Sequence, residues 1–314
     1  MKYSKYILKI KGLKTGDGTV SVVALRDILN TLIESSEKAL RLAIEGTSTK
    51  KGQLPAWLKN SVDFTVTGLK KGSTTLQLLA PRLSGTAARE LTQPDLWNIM
   101  PKPEDTALSI LVRAVKDVER DNPESNFYDN NLLKNLLIFD NVIGSYAESI
   151  ELLNAEKKKE KVVFDNEKLE KISSISFKIP EPQKVILSGY FNEIEHAEGK
   201  FRLRLENGDM ITGEIEKELI DREKMRLLWG NLTTIRGTAE FKANKKIRFL
   251  KADYIKKFEE NERILLTNFE VSDTLSLFGK PVRYKKKKNT VGELWGKWPG
   301  NETIEELLQE LTNE

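Results

Sequence analysis

The sequence contains no cysteine and only one histidine, His196. The absence of cysteine excludes disulfides, thiol nucleophiles and thiolate metal ligands together. A zinc site needs three or four nitrogen, sulfur or oxygen ligands, which one histidine without cysteine does not readily supply. His196 stands in the turn-like stretch IEHAEG, far from any nucleophile-elbow sequence. We therefore predict an exposed turn residue at this position rather than a catalytic base.

Long apolar runs are also missing. No stretch reaches the roughly 18 apolar residues that a transmembrane helix requires. The N-terminal MKYSKYILKIKGL alternates lysine with apolar residues, and it lacks the apolar core and the cleavage site of a signal peptide. We therefore expect a cytoplasmic protein that does not bind a membrane.

Sequence motifs for catalysis and for cofactors are absent too. The glycine stretches KGLKTGDG and EGTSTKKG match neither a dinucleotide fingerprint nor a phosphate-binding P-loop. Acidic residues such as Asp117, Glu119 and Asp121 fall on polar helix faces or near helix ends, where solvation explains them. We expect a protein that is not an enzyme and has no cofactor or metal. An enzyme built from carboxylates scattered in the sequence stays open as a third alternative.

The composition does supply material for real cores. The 314 residues are 39% hydrophobic and 31% charged, a length typical of about two domains. The formal net charge of +4 permits contact with nucleic acid or with an acidic protein, but it demands neither.

Residues 1–155 predict an α+β domain. A strand over Tyr3–Lys11 precedes a long amphipathic pattern that stops at Gly46, and a hairpin made of FTVTGL and TTLQLLA follows. The stretch PEDTALSILVRAVKDVERDN predicts a helix with Pro103 near its start, and NNLLKNLLIFDNVIGSYAESIELLN predicts another. Residues 156–182 predict a charged linker, because a lysine-rich run begins it and Pro180 and Pro182 end it.

Residues 183–257 predict a small barrel of five strands resembling an OB-fold. The stretches KVILSGYFNEIE, KFRLRLE and DMITGEI predict three strands, EKELIDREKMRLLWG a helix, and LTTIRGTAEFK and KIRFLKADY two more strands. Asn207-Gly208 is the pair preferred in a type I′ hairpin turn. Gly189 and Gly237 stand where bends or bulges would close the barrel.

The second strand of this barrel raises the question of nucleic-acid binding. Further positive charge is expected nearby from Lys242, Lys245, Lys246, Arg248 and Lys251. Arg202 and Arg204 alternate with Phe201, Leu203 and Leu205, so the arginines share one face and the apolar residues share the other. Single-strand binding also needs aromatic residues on the arginine face, and the phenylalanines are explained as barrel core. We therefore weigh the arginine face more as the solvated side of a sheet than as a binding surface.

Residues 258–314 predict an extended basic segment and a tail with a short helix. The tail GELWGKWPGNETIEELLQELTNE holds two tryptophans among glycine and proline, then a capping-box pattern, T-x-x-E, and a short apolar stripe. A helix of about ten residues is marginal alone and must bury its stripe on something. The tail either folds back on the body or binds a partner.

The stretch LWGKWPGNETIEELLQEL resembles the C-terminal tails of VapB-type antitoxins, which wrap PIN-domain ribonucleases. By that resemblance a groove of the toxin would receive Leu294, Trp295, Gly296, Lys297 and Trp298. The surface of the toxin would receive the helix stripe, which consists of Ile304, Leu307, Leu308 and Leu311. From charge complementarity we infer that Lys297, or the basic run Lys285, Lys286, Lys287 and Lys288, faces the acidic centre of the toxin.

The body of the chain resembles uncharacterised bacterial proteins with an OB-like barrel, and it lacks the DNA-binding dimer module of such antitoxins. The leading interpretation is therefore a non-enzymatic, antitoxin-like protein that neutralises a PIN-type ribonuclease through its C-terminal tail. The alternative is a nucleic-acid-binding protein that uses the barrel and contacts its ligand through Arg202 and Arg204.

Overall fold

The computed structural model describes residues 2–14, 19–50, 52–69, 74–92, 100–157, 159–195, 199–215, 219 and 226–258. All of them belong to one compact unit that spans Met1–Leu277. Within this unit one sheet with its helices precedes a closed barrel. We call the part from the first strand to the last long helix the first region, and the remainder the barrel.

The first region contains five strands, seven α-helices and a 3₁₀ turn among its described residues. In chain order these are β1 Tyr3–Lys11, α1 Val22–Glu45, α2 Ala56–Ser61, β2 Thr65–Leu69, β3 Thr75–Pro81, α3 Leu83–Thr86, α4 Ala88–Thr92, α5 Ala107–Glu119, α6 Asn130–Leu136, the 3₁₀ turn Leu137–Asn141, β4 Ser149–Asn154, β5 Lys161–Phe164 and α7 Asn166–Lys178.

The first strand, the long helix and the hairpin form where the apolar spacing predicts them. Helix α1 ends at Gly46, whose left-handed φ of 77° lets its N–H bond the carbonyl of Leu42. Helix α5 begins later than Pro103 suggests. Its first turn is closed by a capping box between Thr106 and Ser109, so the proline lies in the preceding loop.

The segment 130–154 differs from the prediction of a single helix. Helix α6 stops at Leu136, Gly144 adopts a φ of 84° that interrupts any helix, and β4 follows. Strand β4 pairs with β1 on one side and β5 on the other, and it buries Ile150 and Leu152 on its inner face. Tertiary pairing therefore overrides the helical propensity of SIELLN.

The segment 156–182 is also more structured than a charged linker. It contains β5 and α7, and the stripe Leu169, Ile172 and Ile175 of α7 is buried in the core of the first region. Most of the lysine-rich run lies in sequence between β4 and β5, and like charges in such a connection are usually solvated. The apolar stripe at every third residue was the signal for α7 in the sequence. The domain limits at 155, 182 and 257 stay a prediction.

The sheet of the first region is antiparallel, in the order β2-β3-β1-β4-β5. Its inner face carries Tyr6, Leu8 and Ile10 of β1 into the core, whereas lysines stand on the outer face. There Glu151 is 3% exposed, because the ammonium groups of Lys11 and Lys161 lie 2.6 and 3.2 Å from its carboxylate oxygens. Their hydrogen bonds, led by that of Lys11, hold the Glu151 pKa below its ordinary value.

The barrel consists of β6 Gln183–Glu195, β7 Lys200–Leu205, β8 Met210–Ile215, β9 Thr233–Phe241 and β10 Ile247–Lys257. It closes in the order β10-β8-β7-β6-β9, with β8 and β10 parallel and the other pairs antiparallel. Its interior is filled by side chains, and the rings of Phe191 and Phe201 meet edge to face at 5.8 Å. Most of the helix predicted between β8 and β9 lies outside the described residues.

Two glycines stand at the bends of the barrel, as their positions predict. Gly189 is where β6 changes partner, because it pairs with Thr233 of β9 and with Leu205 of β7. Gly237 of β9 lies at the β-bulge that follows Ala252 on β10. A Cβ atom at either glycine would approach a backbone oxygen to 2.6 Å or less. Close passage of neighbouring strands therefore requires glycine at both bends.

The hairpin between β7 and β8 forms, but its turn is not type I′. That turn needs positive φ at both central residues, and of the pair only Gly208 has one, at 88°. The side-chain oxygen of Asn207 instead accepts the backbone N–H of Asp209 at 2.9 Å. This local hydrogen bond is an Asx turn, and it accounts for the asparagine.

Candidate functional site

The outer face of β7 presents the two arginines that the alternation predicts. Phe201 and Leu203 are fully buried inside the barrel, Arg204 is exposed and Arg202 is half-buried. Arg202 and Arg204 are two residues apart on one strand, so their side chains leave the same face about 7 Å apart. The predicted orientation of this strand is confirmed.

An exposed aromatic ring stands beside these arginines, contrary to the sequence analysis. Tyr190 of β6 is the cross-strand neighbour of Arg204 and is 36% exposed. The guanidinium carbon of Arg204 lies 6.0 Å from the centre of the tyrosine ring, at the outer limit of a cation–π contact. The sequence did hold the signal, because Tyr190 has the opposite parity to the buried Phe191. We call Tyr190, Arg204 and Arg202 the outer strip.

A cavity of about 180 Å³ adjoins the outer strip, between the barrel and the first region. Among the described residues that line it, three are cationic and none is acidic. The lining consists of Leu42, Gly46, Asn126, Arg202, Met210, Thr212, Lys242, Ile247 and Arg248. We call this the cationic cavity. It is electrostatically suited to an anion.

Arg248 at the start of β10 is the most buried of the three cations, with 8% of its surface exposed. Its guanidinium donates to the carbonyl of Gly46 and to the carboxylate of Glu240, and it lies 3.5 Å from the carboxylate of Asp129. The Nε–H of Arg248 has no partner although it is buried. Arg248 thus joins two ends of first-region helices to the barrel and retains one unsatisfied buried donor.

Lys242 directly follows β9 and borders the cavity from the other side. Its ammonium donates to the carbonyl of Glu124 at 3.0 Å and lies 4.0 Å from that residue's carboxylate. Burial lowers the pKa of Lys242, and the nearby Arg248 and Lys246 lower it further, while Glu124 opposes them. A bound anion would offset both the burial and the repulsion between these cations.

Arg202 is the third cation, and its Nε–H is also buried without a partner. Its cross-strand neighbours are Thr212 on β8 and Glu193 on β6. The Glu193 carboxylate has an unpartnered buried oxygen of its own, yet no ion pair joins it to Arg202 within the described part of the chain. The arginine is therefore free to turn its donors toward the cavity.

The other predicted site residues differ in where they lie. Lys245 and Lys246 are exposed in the turn after β9, and Lys251 is 3.3 Å from Glu240. His196 and the whole tail lie outside the described residues. The tail set consists of Lys285, Lys286, Lys287, Lys288, Leu294, Trp295, Lys297, Trp298, Ile304, Leu307, Leu308 and Leu311. Among the described residues, the predicted contacts Arg202 and Arg204 thus lie beside Tyr190 and the cationic cavity.

Two further observations concern the described residues alone. None of their helices is long and apolar enough to cross a membrane. No group of three or more histidine, aspartate or glutamate residues among them is arranged to hold a metal ion. Comparison of the chain with protein-family models, with curated proteins and with solved structures finds no match to any of them.

Proposed function

We propose that this chain binds single-stranded nucleic acid on the outer strip of its barrel. The observation that carries the proposal is the pairing of exposed Tyr190 with Arg204, next to Arg202 and the cationic cavity. Single-strand binding combines cations for the phosphates with aromatic faces for the bases, and the outer strip offers both. Binding on such a surface involves no catalytic step, so the function proposed here is that of a binding protein and not of an enzyme.

The topology of the barrel supports the same proposal. Three consecutive antiparallel strands, a fourth that returns to the first and a fifth parallel to the third make the strand order of an OB-fold. Barrels of that kind bind oligonucleotides on the face around their second and third strands. Here those strands are β7 and β8, which carry Arg202, Arg204, Met210 and Thr212 on the outer face.

Titration of a fluorescent single-stranded oligonucleotide of about 15 nucleotides tests this proposal, since one OB-fold covers about 4–16 nucleotides. Anisotropy should show an affinity that falls with salt, with a log–log slope of about −2 if three phosphates are contacted. Tyr190→Ala should weaken binding by about fivefold or more through loss of one stacked base. Arg204→Ala should weaken binding and make the salt slope shallower.

A second arginine–tyrosine pair on the barrel supplies the matched control. Arg236 lies 5.2 Å from the ring of Tyr254, but Asp253 pairs with Arg236 at 2.9 Å. Arg236→Ala and Tyr254→Ala should therefore leave the affinity unchanged. The proposal fails if wild-type protein does not bind the oligonucleotide, or if the control pair matters as much as Tyr190 and Arg204.

The sequence of the tail favours a second, independent proposal, in which the tail docks on a PIN-type ribonuclease and inhibits it. The supporting observation is the arrangement of Trp295, Trp298 and the apolar stripe from Ile304 to Leu311. Tryptophan is enriched among interface anchors because it buries a large rigid surface. The two proposals use different parts of the chain and do not exclude each other.

Truncation distinguishes this role from the first. Full-length protein should retain a ribonuclease from the native lysate and inhibit its magnesium-dependent activity, whereas residues 1–288 should do neither. Mass spectrometry of the bound proteins and a cleavage assay provide the readouts. Retention of the same proteins by both forms would rule out docking through the tail.

A further inference from the structure

We propose that the cationic cavity binds the terminal phosphate of the nucleic-acid strand, so that the protein prefers phosphorylated strand ends. This inference rests on the proposed function, because the strand must first lie on the outer strip. It adds a specific ligand group, a phosphate monoester, to a surface that otherwise contacts only phosphodiesters and bases.

The charge of the cavity favours a dianion. Arg202, Lys242 and Arg248 line it without an acidic residue among the described lining. A terminal phosphate monoester carries about −1.5 to −2 charges at neutral pH, against one for each internal phosphodiester. Arg248 is already paired with Glu240 and Asp129, so the attraction that distinguishes the end of a strand from its interior comes mainly from Arg202 and Lys242.

The β-strands place the cavity at one end of the outer strip. Along β8 the outer-face residues run from Met210 through Thr212 to Glu214. Met210 is beside Arg204, Thr212 lines the cavity, and Glu214 lies 3.9 Å from Lys50 of the first region. Leu42 and Gly46, at the end of α1, close the same side. A nucleic-acid strand that lies along the outer strip would therefore end at the cavity, where these residues of the first region block its continuation.

The size of the cavity limits what can enter it. Its volume of about 180 Å³ is below the roughly 300–1,000 Å³ of pockets that hold whole drug-sized ligands. A phosphate group fits this space, and the attached nucleoside would remain outside on the outer strip. Free inorganic phosphate shares this chemistry and must be distinguished from the end of a strand.

The test compares three oligonucleotides of one sequence, which carry a 5′-phosphate, a 3′-phosphate or hydroxyl groups at both ends. Wild-type protein should bind one phosphorylated form about tenfold more tightly than the hydroxyl form. Arg202→Met and Lys242→Met should each remove most of this preference. Arg204→Ala should weaken all three oligonucleotides by a similar factor and keep the preference. Arg248 is left intact because it also joins the barrel to the first region.

Each contrary result has a distinct meaning. Equal binding of the three oligonucleotides overturns the terminal-phosphate site and leaves the proposed function standing, whereas no binding of any overturns both. A preference that persists in Arg202→Met and Lys242→Met reflects added charge alone and also overturns the site. The last measurement uses inorganic phosphate as the ligand. If it raises the melting temperature of wild type but not of Lys242→Met, and strand ends are bound equally, the cavity takes free phosphate instead.

Discussion

Gly237→Ala is expected to lower the free energy of unfolding of the barrel by about 3 kcal/mol, the upper part of the range for overpacked sites. The new Cβ atom would lie 2.2 Å from the backbone oxygen of Lys251 on the neighbouring strand. Backbone cannot rotate away as a side chain can, so β9 and β10 must separate at the bulge. Gly237 is not among the described glycines with positive φ, which leaves steric conflict as the cause.

Urea unfolding followed by circular dichroism measures this loss, and Gly85→Ala provides the control. Gly85 lies in the short helix α3, where a Cβ would meet nothing within 4 Å. Alanine there should be neutral or slightly stabilising, because it favours helix over glycine. Unfolding midpoints that agree for Gly237→Ala and wild type would show that the strands do not pass so closely.

Arg248→Met is expected to destabilise the unit by about 3–5 kcal/mol, the range for removing one partner of a buried ion pair. The carboxylates of Glu240 and Asp129 have side chains only 12% and 5% exposed, and each would lose its guanidinium partner. The carbonyl of Gly46 would lose its donor as well. Because these groups lie on both sides of the junction, contact between the barrel and the first region should weaken too.

The control for this change is Arg236→Met on the same barrel. Arg236 also pairs with a carboxylate, that of Asp253, but its side chain is 53% exposed. Solvent screens such a pair, and its loss should cost less than about 1 kcal/mol. Urea titrations of both variants, with limited proteolysis at the junction as a second readout, give the comparison. Equal costs for the two arginines would contradict a structural role of Arg248.

The helix α1 and the barrel strands could be predicted from the sequence, whereas the segments 130–154 and 156–182 were predicted incorrectly. Helix α1 and the barrel strands follow apolar periods of 3.6 and 2, which depend on the neighbouring residues alone. The local pattern of SIELLN favours a helix, but the structure makes it a strand. It becomes β4 because β1 and β5 supply hydrogen-bonding edges on both sides. Residues from other parts of the chain decided that assignment, and a window along the sequence does not contain them.

The residues of the candidate site also fall into two groups, those whose position the sequence predicts and those whose position it does not. Alternation alone put Arg202 and Arg204 on one face of β7, and the same rule could have put Tyr190 beside them once the register of β6 was known. Lys242 and Arg248 looked like two of many surface lysines and arginines in a basic stretch. Their burial follows from contact with Glu124 and Asp129, more than 100 residues earlier in the chain.

The sequence is sufficient to predict the five barrel strands, their inward and outward faces and the glycines at the bends, because alternation acts within a single strand. Closure of the barrel depends on distant pairings, those of β8 with β10 and of β6 with β9. The cavity with its three cations follows from tertiary packing and from no local pattern. Its walls come from the end of α1, the loop at Asn126, the strands β7, β8 and β10 and the turn after β9, and only folding brings these distant segments together.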